Sequence, residues 1–171
     1  MAQTTLFTRA RIDERVAELG KQISGDLAGD HVIALCVLKG AVFFLTDLVR
    51  NMTIDVALDF IQISSYGNQK FSSGVVTILK EPQLDMRGKA VLIVEDIIDS
   101  GLSMREVHNY IESRGASKVK TVTFLDKPKA RKVPFNADYV GFSIEPQFVV
   151  GYGLDFAEKY RNIPEVQVLS D

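Results

Sequence analysis

The sequence predicts an α/β fold in which helices cover both faces of a mostly parallel sheet. Two short runs, Val32 to Leu38 and Val91 to Val94, are continuously apolar and rich in β-branched residues, which is typical of strands buried on both faces. A helical pattern follows each run, so strands and helices alternate. Because no internal repeat or linker interrupts this alternation, we expect a single domain over residues 1–171.

Each element has its own pattern. Apolar residues recur at helical spacing within 9–27, as at Ile12, Val16 and Leu19, and again within 41–50. The helix after Val94 buries Met104 and is predicted to end at Arg114-Gly115. Further strands are predicted at 55–64, 75–79, 119–125, 139–142 and 148–150, with a last edge strand at 166–169.

Composition excludes several classes of protein. The chain has 46% hydrophobic and 25% charged residues and a net charge of −2, so no general basic field for nucleic acid exists. Its one cysteine, Cys36, lies in an apolar run and is predicted to be an inert core thiol in a reducing compartment. Since no apolar run approaches the ~18 residues of a membrane span, we expect a cytoplasmic protein without membrane contact.

Three carboxylates, Glu95, Asp96 and Asp99, follow the apolar run Val91 to Val94. Acids at the carboxyl end of a buried strand are costly unless a cation, a metal or hydrogen-bond donors compensate them. In open α/β sheets, ligands bind outside the carboxyl ends of the strands. These acids therefore mark a candidate ligand site.

The next residues, Asp99 to Ser103, combine small side chains, hydroxyls and backbone N–H groups at the start of a helix, which is how proteins hold phosphate. Magnesium prefers carboxylate, water and substrate phosphate. Acids beside a phosphate cradle therefore predict a phosphorylated sugar bound with Mg²⁺. A structural alternative is a capping box between Ser103 and Glu106, which leaves Glu95 and Asp96 unexplained.

Two other features have ordinary alternatives. Lys39-Gly40 ends a strand and either helps to hold an anion or is a solvated turn. The polar stretch Ser64 to Gly74 is long enough for an active-site lid, although an idle surface loop has the same composition. His108 is interpreted as a helix residue, and Lys129 and Lys132 as solvated.

Val91 to Met104 resembles the signature of type I phosphoribosyltransferases that binds 5-phosphoribosyl-1-pyrophosphate (PRPP). Lys39, Lys127, the segment Phe148 to Asp155 and Arg161 resemble, in order and spacing, the hypoxanthine-guanine members of that family, over roughly 35–169. The resemblance implies the family fold, with a small hood formed by terminal segments, and homodimers or homotetramers. It also implies Mg²⁺-dependent joining of a purine to PRPP, giving IMP or GMP and pyrophosphate.

The resemblance assigns roles to residues around PRPP. Glu95 and Asp96 would hold the ribose hydroxyls and, with Asp155, Mg²⁺. Asp99 would be the base for the imidazole ring of the purine. The 5'-phosphate would be cradled by Ser100, Gly101, Leu102 and Ser103, and pyrophosphate would be bound by Lys39, Gly40 and Arg161. In this family the peptide at Lys39 is often cis.

On the purine side, Lys127 would donate to the exocyclic oxygen, Phe148 would stack on the ring, and Val149 and Asp155 would complete the pocket. Ser65 and Tyr66 would belong to a lid that excludes water. The sequence departs from many relatives at Leu102, where a polar residue is common, and at Ser103, where threonine is common. Both positions keep their backbone donors, so phosphate binding is still expected.

The sequence also bears on three other functions. A non-catalytic relative that senses nucleotides and binds RNA would need a concentrated basic surface, and the only dense basic run is 127–132. A dinucleotide-dependent oxidoreductase is excluded because Phe156 stands where GxGxxG requires its third glycine. The sequence also lacks the Walker A motif of nucleotide triphosphatases.

Overall fold

Two sheets and three helices make up the part of the chain that the computed structural model describes, residues 2–65 and 76–170. The strands are β1 (Ala2–Phe7), β2 (Val32–Leu38), β3 (Val56–Ser65), β4 (Val76–Lys80), β5 (Ala90–Ile98), β6 (Lys118–Asp126), β7 (Tyr139–Ser143), β8 (Val149–Val150) and β9 (Val166–Ser170). The helices are α1 (Arg9–Asp26), α2 (Val42–Arg50) and α3 (Leu102–Ser113), and a 3₁₀ turn spans Pro128–Ala130.

The larger sheet has the strand order β4-β3-β2-β5-β6-β7. All of its strand pairs are parallel except β3 with β4. Cys36 of β2 lies opposite Val94 of β5, and Ile98 of β5 lies opposite Asp126 of β6, so these three strands end at one edge. The predicted mostly parallel sheet is confirmed.

Helices cover both faces of the larger sheet. On one face, α1 and α2 bury a cluster that includes Ile12, Leu19 and Phe44. On the other face, α3 packs Val107 and Ile111 into a second cluster. Apolar residues at helical spacing thus form each helix's buried side, and the predicted α/β layering is confirmed.

A second, antiparallel sheet of order β1-β9-β8 brings together the two ends of the described chain, as a hood of terminal segments requires. The strand predicted at 166–169 is present as β9, but its predicted place at an edge is wrong, because β9 lies between β1 and β8. β1 was not predicted at all. Its Gln3, Thr4 and Thr5 give it no clear apolar alternation, and its place follows from pairing with β9.

Cys36 is fully buried in β2, as predicted. Burial above all, together with the nearby carboxylates of Glu95 and Asp96, raises the pKa of its thiol to about 12. Such a thiol is neutral and unreactive at ordinary pH. No helix in the described ranges is long and apolar enough to cross a membrane.

Candidate active site

A cavity of about 700 Å³ opens at the edge where β2, β5 and β6 end. We call it the active-site cleft. Most of the predicted site residues line it: Lys39, Gly40, Glu95, Asp96, Asp99, Ser100, Gly101, Leu102, Ser103, Asp155 and Arg161. Lys39 and Arg161, which are 122 positions apart in the sequence, therefore share one space.

Glu95 and Asp96 lie within β5, not beyond its end, because pairing with β6 extends the strand to Ile98. Glu95 is only 8% exposed, and its Oε1 accepts the backbone N–H of Asp96 at 3.0 Å. The Asp96 Oδ1 accepts the N–H of Ile97 at 2.7 Å.

Burial raises the pKa of both carboxyl groups. The charge of Asp96 raises the pKa of Glu95 further. At Asp96, hydrogen bonds and the charge of Arg161 lower the pKa and so oppose the effect of burial. The pair therefore forms an acidic wall whose charged state is poorly compensated by its protein neighbours. A cation or a group with hydroxyl donors would compensate it.

The phosphate loop between β5 and α3 turns at Gly101, which is the N-cap of the helix at φ +81°. Glycine has no side chain to cap the helix, and the first helix N–H, that of Leu102, donates to Ser100 Oγ at 3.3 Å. The predicted capping box is wrong: Ser103 is the second residue of the helix, and Glu106 instead lies 3.5 Å from Arg105. The helix begins earlier than predicted because glycine tolerates the left-handed turn. Uncapped N–H groups at a helix start are the donors that a phosphate needs.

Lys39 and Gly40 follow β2 beside the acidic wall. The peptide bond between Leu38 and Lys39 is cis. A Cβ at Gly40 would collide with the Asp96 carboxylate, and a Cβ at Gly153 would collide with the Gly40 carbonyl. These close approaches hold the Lys39 loop between the acidic wall and the segment that carries Asp155.

Arg161 and Lys39 share a carboxylate that sequence reasoning missed. Glu158 lies 3.3 Å from Lys39 Nζ and 3.3 Å from Arg161 Nη2, and these hydrogen bonds lower its pKa. Arg161 also pairs with Asp155 at 2.9 Å and donates to the Gly153 carbonyl at 2.8 Å. Two cations thus converge on one carboxylate, which is how a binding site for a polyanion is built.

Of the predicted purine residues, Asp155 lines the cleft, whereas Lys127, Phe148 and Val149 lie outside its lining. Lys127 is 13% exposed and its Nζ lies 3.1 Å from Asp99 Oδ1, which places it at the border of the cleft. Phe148 is half exposed and meets Phe156 edge to face at 5.6 Å between ring centroids. Val149 is buried in β8.

The lid residues are only partly described. Ser65 is the last residue of β3, and Tyr66 lies outside the described residues. Lys132 is exposed, as predicted, and it also lines the cleft. Lys129 is exposed and pairs with Glu145 at 2.8 Å. His108 is a helix residue away from the cleft, as predicted.

Within residues 2–65 and 76–170, no three His, Cys, Asp or Glu side chains are arranged to hold a metal ion by themselves. Glu95, Asp96 and Asp155 nevertheless supply carboxylate oxygens to one cleft. Mg²⁺ is held by one or two carboxylates together with waters and substrate phosphates. The donor set therefore fits Mg²⁺ that arrives with a phosphorylated substrate.

The family profile described as "phosphoribosyl transferase domain" matches residues 3–157. The chain belongs to the phosphoribosyltransferase family. Over 167 residues it is 46% identical to hypoxanthine-guanine phosphoribosyltransferase of Aquifex aeolicus, covering 97% of this chain and 94% of that protein. This phosphoribosyltransferase also superposes on the crystal structure of a Bacillus anthracis hypoxanthine-guanine phosphoribosyltransferase with a TM-score of 0.94 and 44% identity, covering 98% of each chain. The predicted resemblance is confirmed.

Some relatives are much longer. The chain is 44% identical over 167 residues to the bifunctional protein TilS/HprT of Listeria innocua, a match that covers 98% of this phosphoribosyltransferase. It spans only 26% of that relative's length.

Proposed function

We propose that this phosphoribosyltransferase transfers the 5-phosphoribosyl group of PRPP to hypoxanthine or guanine, giving IMP or GMP and pyrophosphate. One observation carries the proposal. A single cleft joins the acidic wall of Glu95 and Asp96, the uncapped phosphate loop and the cation pair of Lys39 and Arg161. These groups match the hydroxyls, the 5'-phosphate and the pyrophosphate of PRPP.

In this proposal, Glu95 and Asp96 accept hydrogen bonds from the ribose hydroxyls. The N–H groups of Ser100 to Ser103 bind the 5'-phosphate, helped by the positive end of α3. Leu102 contributes only its backbone, so its apolar side chain does not weaken this contact. The ribose is thereby fixed at both ends before the reaction.

The bond between the anomeric carbon and pyrophosphate breaks as the purine nitrogen approaches. Positive charge develops on the ribosyl group, where the carboxylates of Glu95 and Asp96 stabilise it. Negative charge develops on pyrophosphate, where Lys39 and Arg161 receive it, displacing Glu158. Mg²⁺, held through Glu95, Asp96 and Asp155, supplies further neutralisation of the leaving group when bound.

Asp99 accepts the proton from the imidazole ring of the purine. Its carboxylate lies 3.1 Å from Lys127, which holds it in place and donates to the exocyclic oxygen of a 6-oxopurine. Adenine presents an amino group at that position, so donor would face donor and adenine would be rejected. Phe148 stacks on the ring, and the backbone of Val149 completes the hydrogen bonding.

The alternative function, an RNA-binding regulator, is disfavoured because most cations of the basic run 127–132 are paired with carboxylates of the protein. Lys127 pairs with Asp99, Lys129 pairs with Glu145, and Arg131 is 14% exposed and pairs with Asp126. Charges already neutralised by the protein release few counterions from nucleic acid. We further propose one domain over 1–171, a cytoplasmic location, no nucleic-acid or membrane partner, and a homodimer or homotetramer, with Ser65 and Tyr66 in a lid.

Steady-state rates with PRPP and Mg²⁺ test the proposal across hypoxanthine, guanine, xanthine and adenine. We expect nucleotide from hypoxanthine or guanine and none from adenine. Asp99→Asn should lower kcat about 10²–10⁴-fold while leaving PRPP binding nearly unchanged, because it removes a proton acceptor and no PRPP contact. Lys129→Met, at an exposed cation in the basic run, is the matched control. A folded wild-type protein that makes no nucleotide from any oxopurine would refute the proposal.

A further inference from the structure

Three successive carbonyls, those of Ile98, Asp99 and Ser100, accept hydrogen bonds from one segment, residues 127–133. The Ile98 carbonyl accepts from Lys127 N at 3.0 Å and from Arg131 Nη1 at 3.0 Å. The Asp99 carbonyl accepts from Arg131 Nη1 at 2.8 Å. The Ser100 carbonyl accepts from the N–H of Lys132 at 2.9 Å and of Val133 at 3.4 Å.

Holding these carbonyls fixes the donors on the other side of the loop. In a trans peptide the C=O and the following N–H point in opposite directions. The carbonyls of Ile98, Asp99 and Ser100 belong to the same peptide groups as the N–H groups of Asp99, Ser100 and Gly101. Each hydrogen bond behind the loop therefore turns one N–H toward the side where these residues line the cleft.

Arg131 is the centre of this arrangement. Its Nε donates to the Phe135 carbonyl at 2.8 Å, and its Nη2 pairs with Asp126 at the end of β6. The side chain is 14% exposed, and its Cδ lies 3.2 Å from the position that a Cβ at Gly101 would occupy. The guanidinium thus ties the end of β5, the end of β6 and the phosphate loop together.

A guanidinium suits this task better than any other cation. It is planar, always charged and carries five donors in a fixed fork, so it can bind several carbonyls and a carboxylate at once. An ammonium at the same place is a single point and cannot reproduce these directions. The requirement is therefore for arginine, and not for positive charge alone.

We propose that Arg131 is a positioning residue that orients the phosphate loop for the 5'-phosphate of PRPP and of the nucleotide product. It acts through the backbone of Ile98 and Asp99 and touches neither substrate. The inference rests on the proposed function, since it concerns the same cleft. Sequence reasoning had counted Arg131 only as part of a basic run.

Binding of two ligands distinguishes a positioning role of Arg131 from general damage to the active-site cleft. IMP uses the phosphate loop, whereas pyrophosphate with Mg²⁺ uses the side of Lys39 and Arg161. We expect Arg131→Lys to raise the Kd of IMP about tenfold or more, the cost of weakening one or two charge-assisted hydrogen bonds, and to leave the Kd of pyrophosphate within about twofold. Arg131→Met should show the same split, more strongly, and Lys129→Met should match wild type for both ligands.

If Arg131→Met does not fold, the Kd values of Arg131→Lys and Asp126→Asn test the proposal instead. Asp126→Asn loosens the anchor of Arg131 while keeping a hydrogen-bond acceptor. A Kd of IMP unchanged in Arg131→Lys would overturn the inference. So would equal losses for IMP and pyrophosphate. These results differ from failure of the proposed function, in which wild type itself would neither bind IMP nor make it.

Discussion

Replacing Glu95 by glutamine should stabilise the ligand-free protein and disable it. The Glu95 carboxylate is buried beside Asp96, and burial and that neighbouring charge raise its pKa. Glutamine keeps an oxygen to accept the N–H of Asp96 and carries no charge. A group with a raised folded pKa favours the folded state below its unfolded pKa, and that contribution is lost as the pH rises through the folded pKa. Glutamine carries no charge, so Glu95→Gln does not lose this folding stability as the pH rises.

The free energy of unfolding should rise by the cost of burying one polar group without full compensation. A buried polar group without full compensation costs about 1–3 kcal/mol. For a chain of 171 residues this corresponds to a rise in Tm of about 2–12 °C. The same change removes a carboxylate from the proposed ribose and Mg²⁺ contacts, so PRPP-dependent activity should fall.

Thermal unfolding from pH 8 to pH 5.5 in EDTA, without ligand, measures the effect. Wild type should gain stability as the pH falls and Glu95 takes up a proton, and Glu95→Gln should show a smaller gain. Glu106→Gln is the matched control, because Glu106 is partly exposed on α3 and its ion pair among residues 2–65 and 76–170 is with its neighbour Arg105. Lower stability of Glu95→Gln than of wild type at pH 8, with equal pH dependence, would refute the reasoning.

Two substitutions and one labelling experiment test the packing around the cleft. Gly153→Ala should cost about 1–3 kcal/mol of unfolding free energy in urea, because φ is +99° and the new Cβ would meet the Gly40 carbonyl; equal stability would contradict this. Tyr152→Phe should cost about 1–3 kcal/mol, since Asp47 loses a 2.8 Å hydrogen bond from the buried hydroxyl; thermal unfolding measures it. Cys36 should resist a thiol reagent at pH 8 until the protein unfolds, because its pKa is about 12, and fast labelling of folded protein would contradict that.

Sequence patterns predicted β2 and β5 of the larger sheet well because these strands are buried on both faces. Val32 to Leu38 was predicted with the bounds that the structure has. The hood was harder, since β1 is polar and depends on β9 for its pairing. Because β1 and β9 are far apart in the sequence, their pairing leaves no pattern within Ala2–Phe7 that could predict a strand.

The site residues were likewise predicted best where the signal is local in the sequence. Those of one loop, Asp99 to Ser103, could be predicted because they are adjacent in the chain. Glu158 and Arg131 were missed because their roles arise from contacts with distant carbonyls and cations. The capping box failed for a local reason: a backbone turn at Gly101 starts the helix before Ser103.

Simultaneous measurement of IMP and pyrophosphate, from hypoxanthine and PRPP with Mg²⁺, tests the central claim most directly. Transfer predicts equal amounts of the two products, with neither formed when EDTA is added or when adenine replaces hypoxanthine. Pyrophosphate released without IMP would show that water, and not the purine, takes the ribosyl group. That result, or no IMP from folded protein, would contradict the account.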